Sequence, residues 1–186
     1  EARREASGDF GRRLKALAIV RDDAGQEAAH LAEHGVALQP EGRHAGEILG
    51  SGAVMVVGVD LVKDPSLLKA AYNDAQGVTA KFNLNLLRRI NRELGGSFKL
   101  DSFEHHAFYN REKSRIEMHL ASWKRQKVKV GASSFDFRAG ETIHTENSYK
   151  YSRDSFSALA RGAGWTMEQV WTDANQNFAV CALTLA

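Results

Sequence analysis

Ala53-Val-Met-Val-Val-Gly-Val-Asp60 is an unbroken apolar run that ends in an acid. A run this short and this rich in valine reads as a strand buried on both faces, the kind found at the centre of a parallel sheet. It therefore predicts a central parallel strand in an α/β fold. Working outward, Asp64-Pro65-Ser-Leu-Leu-Lys-Ala-Ala-Tyr72 follows. Asp64 suits a helix N-cap and Pro65 the first helical position, where a missing N–H costs nothing. A second helix is expected from about Val78 to Glu93. Its apolar residues Phe82, Leu86, Leu87, Ile90 and Leu94 recur at three and four, and Gly95-Gly96 ends it.

Over residues 103–147 the period changes to two. Ile116, Met118 and Leu120 alternate with Glu117, His119 and Ala121, and Val128, Val130, Phe135 and Phe137 continue the alternation. With turns at Lys124-Arg-Gln126 and Arg138-Ala-Gly140, this predicts an antiparallel meander with one solvated face. A helix should begin near Ser152 or Asp154, with Phe156, Leu159 and Ala160 turned inward. Trp165–Trp171 and Phe178–Leu185 flank the polar turn Thr172-Asp-Ala-Asn-Gln-Asn177 and predict a closing β-hairpin. Residues 1–46 are polar and alanine-rich. Leu14, Leu17 and Ala18, and likewise Ala28, Leu31 and Ala32, are spaced for weak helices, so a helical or disordered segment is expected there.

Composition excludes several classes. Lys and Arg exceed Asp and Glu by only two charges, so no dedicated nucleic-acid surface is expected. No apolar run approaches the ~20 residues that span a bilayer, and Glu1-Ala-Arg-Arg-Glu5 is no secretory leader. The single cysteine, Cys181, sits in an apolar run and reads as a buried small hydrophobe, in keeping with a reducing cytoplasm.

Four features bear on chemistry. Gly50-Ser51-Gly52 could approach a nucleotide, but it precedes a strand instead of following one, so a plain turn is expected. His30 and His34 are one helical turn apart but lack the glutamate of a zinc-protease helix, so they are expected to be solvated and no metal site is predicted. Asp60 and Lys63 lie just past a strand's carboxyl end, where open α/β sheets bind ligands. In Thr142-Ile-His-Thr-Glu146-Asn-Ser148-Tyr-Lys150-Tyr151, alternation puts Glu146 and Ser148 on one face. A carboxylate and a hydroxyl so placed can bind a ring that carries a donor. Pattern alone favours an exposed polar strand over such a site, and allows Tyr72, Phe82 and Met118 simply to pack a core.

Three stretches together resemble the bacterial histidine Nα-methyltransferases of ergothioneine biosynthesis. They are Gly58-Val-Asp-Leu-Val-Lys-Asp64 with Ala71-Tyr72-Asn-Asp74, Val78–Leu94, and Ile143–Tyr151, joined by the closing Trp171-Thr-Asp173. The resemblance runs from about Val56 to the C-terminus. It implies part of a class I, Rossmann-like S-adenosylmethionine methyltransferase sheet over 53–62 and 150–186. An inserted α+β substrate-binding domain would cover 63–149, with 1–46 unassigned. By the same resemblance Tyr72 would bond the histidine carboxylate, Phe82 and Met118 would line the pocket, and Glu146 and Ser148 would grip the imidazole. The implied activity is transfer of methyl groups from S-adenosylmethionine to the α-amine of L-histidine, giving hercynine. The family's donor-binding strand, glycine-rich turn and helix have no counterpart here. The chain alone is therefore not expected to hold the donor, and a separate N-terminal half is expected as its partner. Two other readings stay open: a non-catalytic remnant that binds an amino acid, and a partly folded fragment that needs a partner.

Overall fold

The computed structural model describes residues 17–21, 27–31 and 38–185. They form two compact units, one holding the described residues up to Lys63 and from Ser148 onward, the other Asp64–Asn147.

The first unit is a five-stranded sheet. Along the chain it contains β1 (Leu17–Arg21), β2 (Glu27–Leu31), helix α1 (Leu38–Leu49) and β3 (Val54–Asp60). After the second unit come helix α4 (Arg153–Gly162), β9 (Trp165–Thr172) and β10 (Phe178–Leu185). The spatial order is β2-β1-β3-β10-β9. The apolar run of β3 thus lies mid-sheet, as its composition predicts. The expected parallel sense is corrected: β3 is antiparallel to both β1 and β10. The expected burial on both faces is corrected as well. Met55, Val57 and Val59 are buried against Phe156 and Ala160 of α4, but Val54 on the other face is 40% exposed. One helical layer covers one set of alternate side chains, and among the described residues no second layer covers the other. A Cβ at Gly58 would meet the Phe178 ring at 2.8 Å, so the ring would have to shift to admit one.

Among the described residues up to 46, the helical expectation holds only for α1. Leu17 and Ala18, and Ala28 and Leu31, lie in β1 and β2, which form a hairpin on the open edge of β3. Pairing with that edge outweighs a weak helical preference that Ile19 and Val20 already undercut. His30 is therefore in a strand. Leu14, Ala32 and His34 lie outside the described residues.

The second unit begins with α2 (Pro65–Tyr72) and α3 (Val78–Leu94), followed by a 3-10 turn at Leu100–Ser102. Asp64 caps α2 through Ser66 N at 2.7 Å, and Gly95 ends α3 in the left-handed conformation. The strands are β4 (Phe103–Asn110), β5 (Arg115–Ser122), β6 (Gln126–Val130), β7 (Ser133–Phe137) and β8 (Thr142–Tyr149). The expected continuous meander divides in two. β4-β5-β8 make one sheet, and β6-β7 form a separate hairpin. Leu87 of α3 packs on Phe98, Phe103, Leu120 and Val128 in one core, and Leu68 of α2 packs on Ala107, Ile116 and Met118 in another.

Trp165 is fully buried and its indole N–H donates to the Gly42 carbonyl at 2.8 Å. Trp171, on the same strand, is half exposed. Trp165→Ala should cost about 3–5 kcal/mol through cavity and lost contacts, whereas Trp171→Ala should cost under about 1 kcal/mol. Urea unfolding of the two variants checks this; equal losses would contradict the burial pattern of β9.

Candidate functional site

In the first unit, the carboxyl end of β3 meets the segment that follows β8. Tyr151 N donates to the Asp60 carbonyl at 3.0 Å and Val62 N to the Tyr151 carbonyl at 2.9 Å. This backbone clasp brings Lys150 over Asp60. The Lys150 side chain is fully buried. Its amine donates to Ser148 Oγ at 2.6 Å and stands 2.8 Å from Asp60 Oδ2. Lys63 Nζ lies 2.6 Å from the other carboxylate oxygen, Asp60 Oδ1. One carboxylate thus faces two ammonium groups, and Ser148, itself buried, is tied to this network. Beside it, burial first and the neighbouring Tyr149 second push the Tyr151 phenol up to about 12, so it stays protonated.

In the second unit, Tyr72 closes α2 and packs, half buried, with Leu68, Ala107, Ile116 and Met118. Its carbonyl lies 2.9 Å from His105 Nε2, and His105 Nδ1 lies 3.0 Å from Asn83 Nδ2. An amide NH2 can only donate, so Nδ1 accepts and the proton sits on Nε2, directed at Tyr72. Asn83, buried in α3, also donates to the His119 carbonyl at 3.1 Å. A chain of polar contacts therefore fixes the end of α2 against β4 and β5. Asp74 adds a second clamp by accepting from Val78 N and Thr79 N at the start of α3. Those bonds hold its carboxyl at about 2.

The structure brings Tyr72 and Met118 into one cluster. Phe82 is 41% exposed on α3. Glu146 is half buried in β8, and its carbonyl lies 3.2 Å from His144 Nε2. Asn147, between Glu146 and Ser148, has a buried Oδ1 with no hydrogen-bond partner among the described residues.

Sequence reasoning missed two arrangements. The first is the Asp60–Lys150 pair, whose members are too far apart along the chain for any local pattern to join them. The second is a ladder of rings. Phe108 stacks on His119 at 5.4 Å and His119 on His144 at 4.4 Å, with Glu117 beside them. The i, i+2 spacing of Glu117 and His119 was the available signal. Arg115 and Asn110 both bond Glu117 Oε1. Burial works to raise the Glu117 carboxyl, but the hydrogen bonds and charge of Arg115 outweigh it and hold the group below its ordinary range. His119 Nε2 is 3.5 Å from Glu117 Oε2, too long for a hydrogen bond. Glu117, His119 and His144 could be taken for three metal ligands. The parallel stacking of the two rings directs their nitrogens alongside one another, however, and Arg115 already neutralises the carboxylate. The arrangement suits an aromatic ladder better.

The described residues do not fit a nucleotide-like methyl donor. Gly50 N donates to the Gly46 carbonyl and Gly52 N to the Leu185 carbonyl, so the Gly50-Ser51-Gly52 turn spends those amides on ending α1 and on joining β10. A crevice at the carboxyl ends of neighbouring parallel strands, where such ligands bind, is also absent among them, because β3 has antiparallel strands on both sides.

Residues 41–185 match the family model described as histidine-specific, SAM-dependent methyltransferase. The chain is 43% identical over 136 residues to the histidine N-alpha-methyltransferase of Mycolicibacterium smegmatis and 42% identical over 135 residues to that of Mycobacterium tuberculosis. Each alignment covers 72% of this chain and 42% of the relative. It is 30% identical over 133 residues to ergothioneine biosynthesis protein 1 of Neurospora crassa, covering 70% of this chain and 15% of that protein. The chain thus spans less than half the length of the bacterial relatives it matches.

Burial first, and the charge of His144 second, lower the pKa of His119. A histidine held neutral in the fold but free to protonate when unfolded draws the equilibrium toward unfolding as pH falls. Its stabilisation should be complete above the unfolded value of about 6.5 and decline below it. His119→Phe keeps the stack but cannot ionise, so its urea-unfolding stability should fall less steeply between pH 7 and 5. Parallel pH profiles for the two proteins would contradict this role.

Proposed function

The chain belongs to the histidine-specific, S-adenosylmethionine-dependent methyltransferase family, and from that membership we propose that it supplies the acceptor-binding part of an enzyme that methylates the α-amine of L-histidine to hercynine in ergothioneine biosynthesis. Glu146 and Ser148, two positions apart in β8, hold the imidazole. Tyr72 receives the carboxylate, and Phe82 and Met118 line the remainder of the pocket. The observation that carries this reading is the state of Ser148: its hydroxyl is buried and held at 2.6 Å by a buried lysine. A side chain on an idle polar strand would need no such restraint.

In the whole enzyme S-adenosylmethionine would supply the methyl group from a donor site outside the described residues. The residues of this chain contribute alignment of the amine and exclusion of water, which account for most of what methyl transfer asks of a protein. Holding the ring end of histidine aims its amine. The enzyme acts in the cytoplasm, where Cys181 stays reduced, and its small-molecule partner is L-histidine. Among the described residues no helix is long and apolar enough to cross a membrane.

A second reading, an amino-acid-binding protein without catalysis, is favoured by one observation: the described residues do not fit the donor. Titration calorimetry with L-histidine tests the acceptor site that both readings share, and an activity assay distinguishes the two: methyl transfer to L-histidine once a donor-binding N-terminal half is supplied supports the enzyme, and histidine binding without transfer supports the second reading. Glu146→Ala removes a charge-assisted hydrogen bond and should weaken histidine binding by about 1.5–3 kcal/mol, roughly tenfold or more, with little change in melting temperature. A large melting shift at unchanged histidine affinity would reject the assigned role.

A further inference from the structure

We propose that His105, seconded by Asn73, is a positioning residue for the acceptor: it docks the last turn of α2 on β4 in one orientation and so sets the preference of the site for a ligand that carries an α-carboxylate. This rests on the reading above in which Tyr72 receives that carboxylate, and extends it to a residue that acts through Tyr72.

The last carbonyls of a helix have no partner within it and must be met from outside. Tyr72 is the final residue of α2, and its carbonyl is met by His105 Nε2 at 2.9 Å. The next residue, Asn73, donates through Nδ2 to the Ala107 carbonyl at 2.9 Å. Both tethers lead to β4, two positions apart. The direction of the His105 bond is fixed from its two ends, since each is a carbonyl oxygen that can only accept. Asn83 Nδ2 stands 3.1 Å from the His119 carbonyl, so that atom is the amide nitrogen. The same nitrogen lies 3.0 Å from His105 Nδ1, which must then accept. The ring proton is left on Nε2, where it meets Tyr72. Each donor in this chain faces an acceptor, and reversing any one bond would set two donors or two acceptors against each other. Asn83 is only 3% exposed, so water does not relieve a mismatch at its amide.

Helix ends fray, and the last turn is the part of α2 most free to drift. Catching the Tyr72 carbonyl holds its main chain, and the side chain then leaves the helix at one place, packed on Leu68, Ala107, Ile116 and Met118. A bond from a phenol to a carboxylate is charge-assisted and short, so it is sensitive to displacement of the donor by about an ångström. Loss of the His105 bond would therefore be felt at the carboxylate of the acceptor and not at its ring.

Titration calorimetry with L-histidine and with histamine, which has the same ring and amine but no carboxylate, tests this. The unaltered chain should prefer histidine by about tenfold or more. Two substitutions separate the roles of the two ring nitrogens. His105→Gln keeps a donor as far along the side chain as Nε2, and with it the bond to Tyr72. His105→Asn keeps an acceptor as far along as Nδ1, and with it the bond from Asn83, but leaves the Tyr72 carbonyl unmet. His105→Asn should therefore lose most of the preference, and His105→Gln should retain most of it. Tyr72→Phe should lose the preference too, and adding His105→Asn to it should lose no more. A histidine that serves only the fold would weaken both ligands together and leave their ratio unchanged. Should His105→Asn fail to fold, Asn73→Ala removes the neighbouring tether and should lower the ratio in the same sense. Retention of the preference in His105→Asn, or in Asn73→Ala when that variant stands in, while Tyr72→Phe loses it, overturns the proposal and leaves the reading of Tyr72 intact. Retention in Tyr72→Phe, or failure of the unaltered chain to bind histidine, overturns both.

Discussion

A lysine amine with no access to water, wedged between a carboxylate and a serine hydroxyl, is the constraint around which the first unit is organised. Lys150 ties the end of β3, through Asp60, to the last residues of β8 and the start of α4. Burying such a pair gains little net stability, because the desolvation of both ions offsets most of their attraction. Stability comes instead from the apolar layer of Met55, Val57, Leu183, Trp165 and Phe156. The ion pair contributes direction. Removing Asp60 would leave a buried ammonium without its carboxylate, so the geometry at Ser148 is defended by a large penalty.

The second unit uses neutral hydrogen bonds to the same end. Asn83 reaches from α3 to His105 and to the His119 carbonyl, and His105 reaches on to the last residue of α2. Each of these groups is satisfied by another part-buried group, so the helices cannot slide on the sheet without leaving donors unmatched. Tyr72 inherits its position from this chain of contacts. Under the proposed function this rigidity would serve to position the acceptor, because misplacement by an ångström defeats alignment.

Local signals in the sequence were sufficient for most elements. Asp64 and Pro65 announce α2, the three-four spacing from Val78 to Leu94 announces α3, Gly95 ends it, and Ser152 opens α4 with a capping box. Strand direction was not legible. An apolar run states that a strand is central, but nothing in Val54–Asp60 encodes whether its neighbours run with it or against it. The segments at Leu17 and Glu27 were misread for a related reason, since their structure is decided by the free edge of β3. At the candidate site, the alternation of Glu146 and Ser148 and their resemblance to a family motif were visible. The lysine two residues further on was in plain view as well, but its meaning depends on Asp60, which only folding brings near.

The parallel bridge between Leu61 and Tyr151 places the departure of the chain from the five-stranded sheet beside its return. All of Asp64–Asn147 is strung between these two adjoining points. A segment whose ends already meet asks nothing of its host in length or shape, since a tight reverse turn would close the same gap. The inserted segment can therefore be exchanged for another of different length with the host strands left as they are. The clasp at the junction acts as a standardised socket.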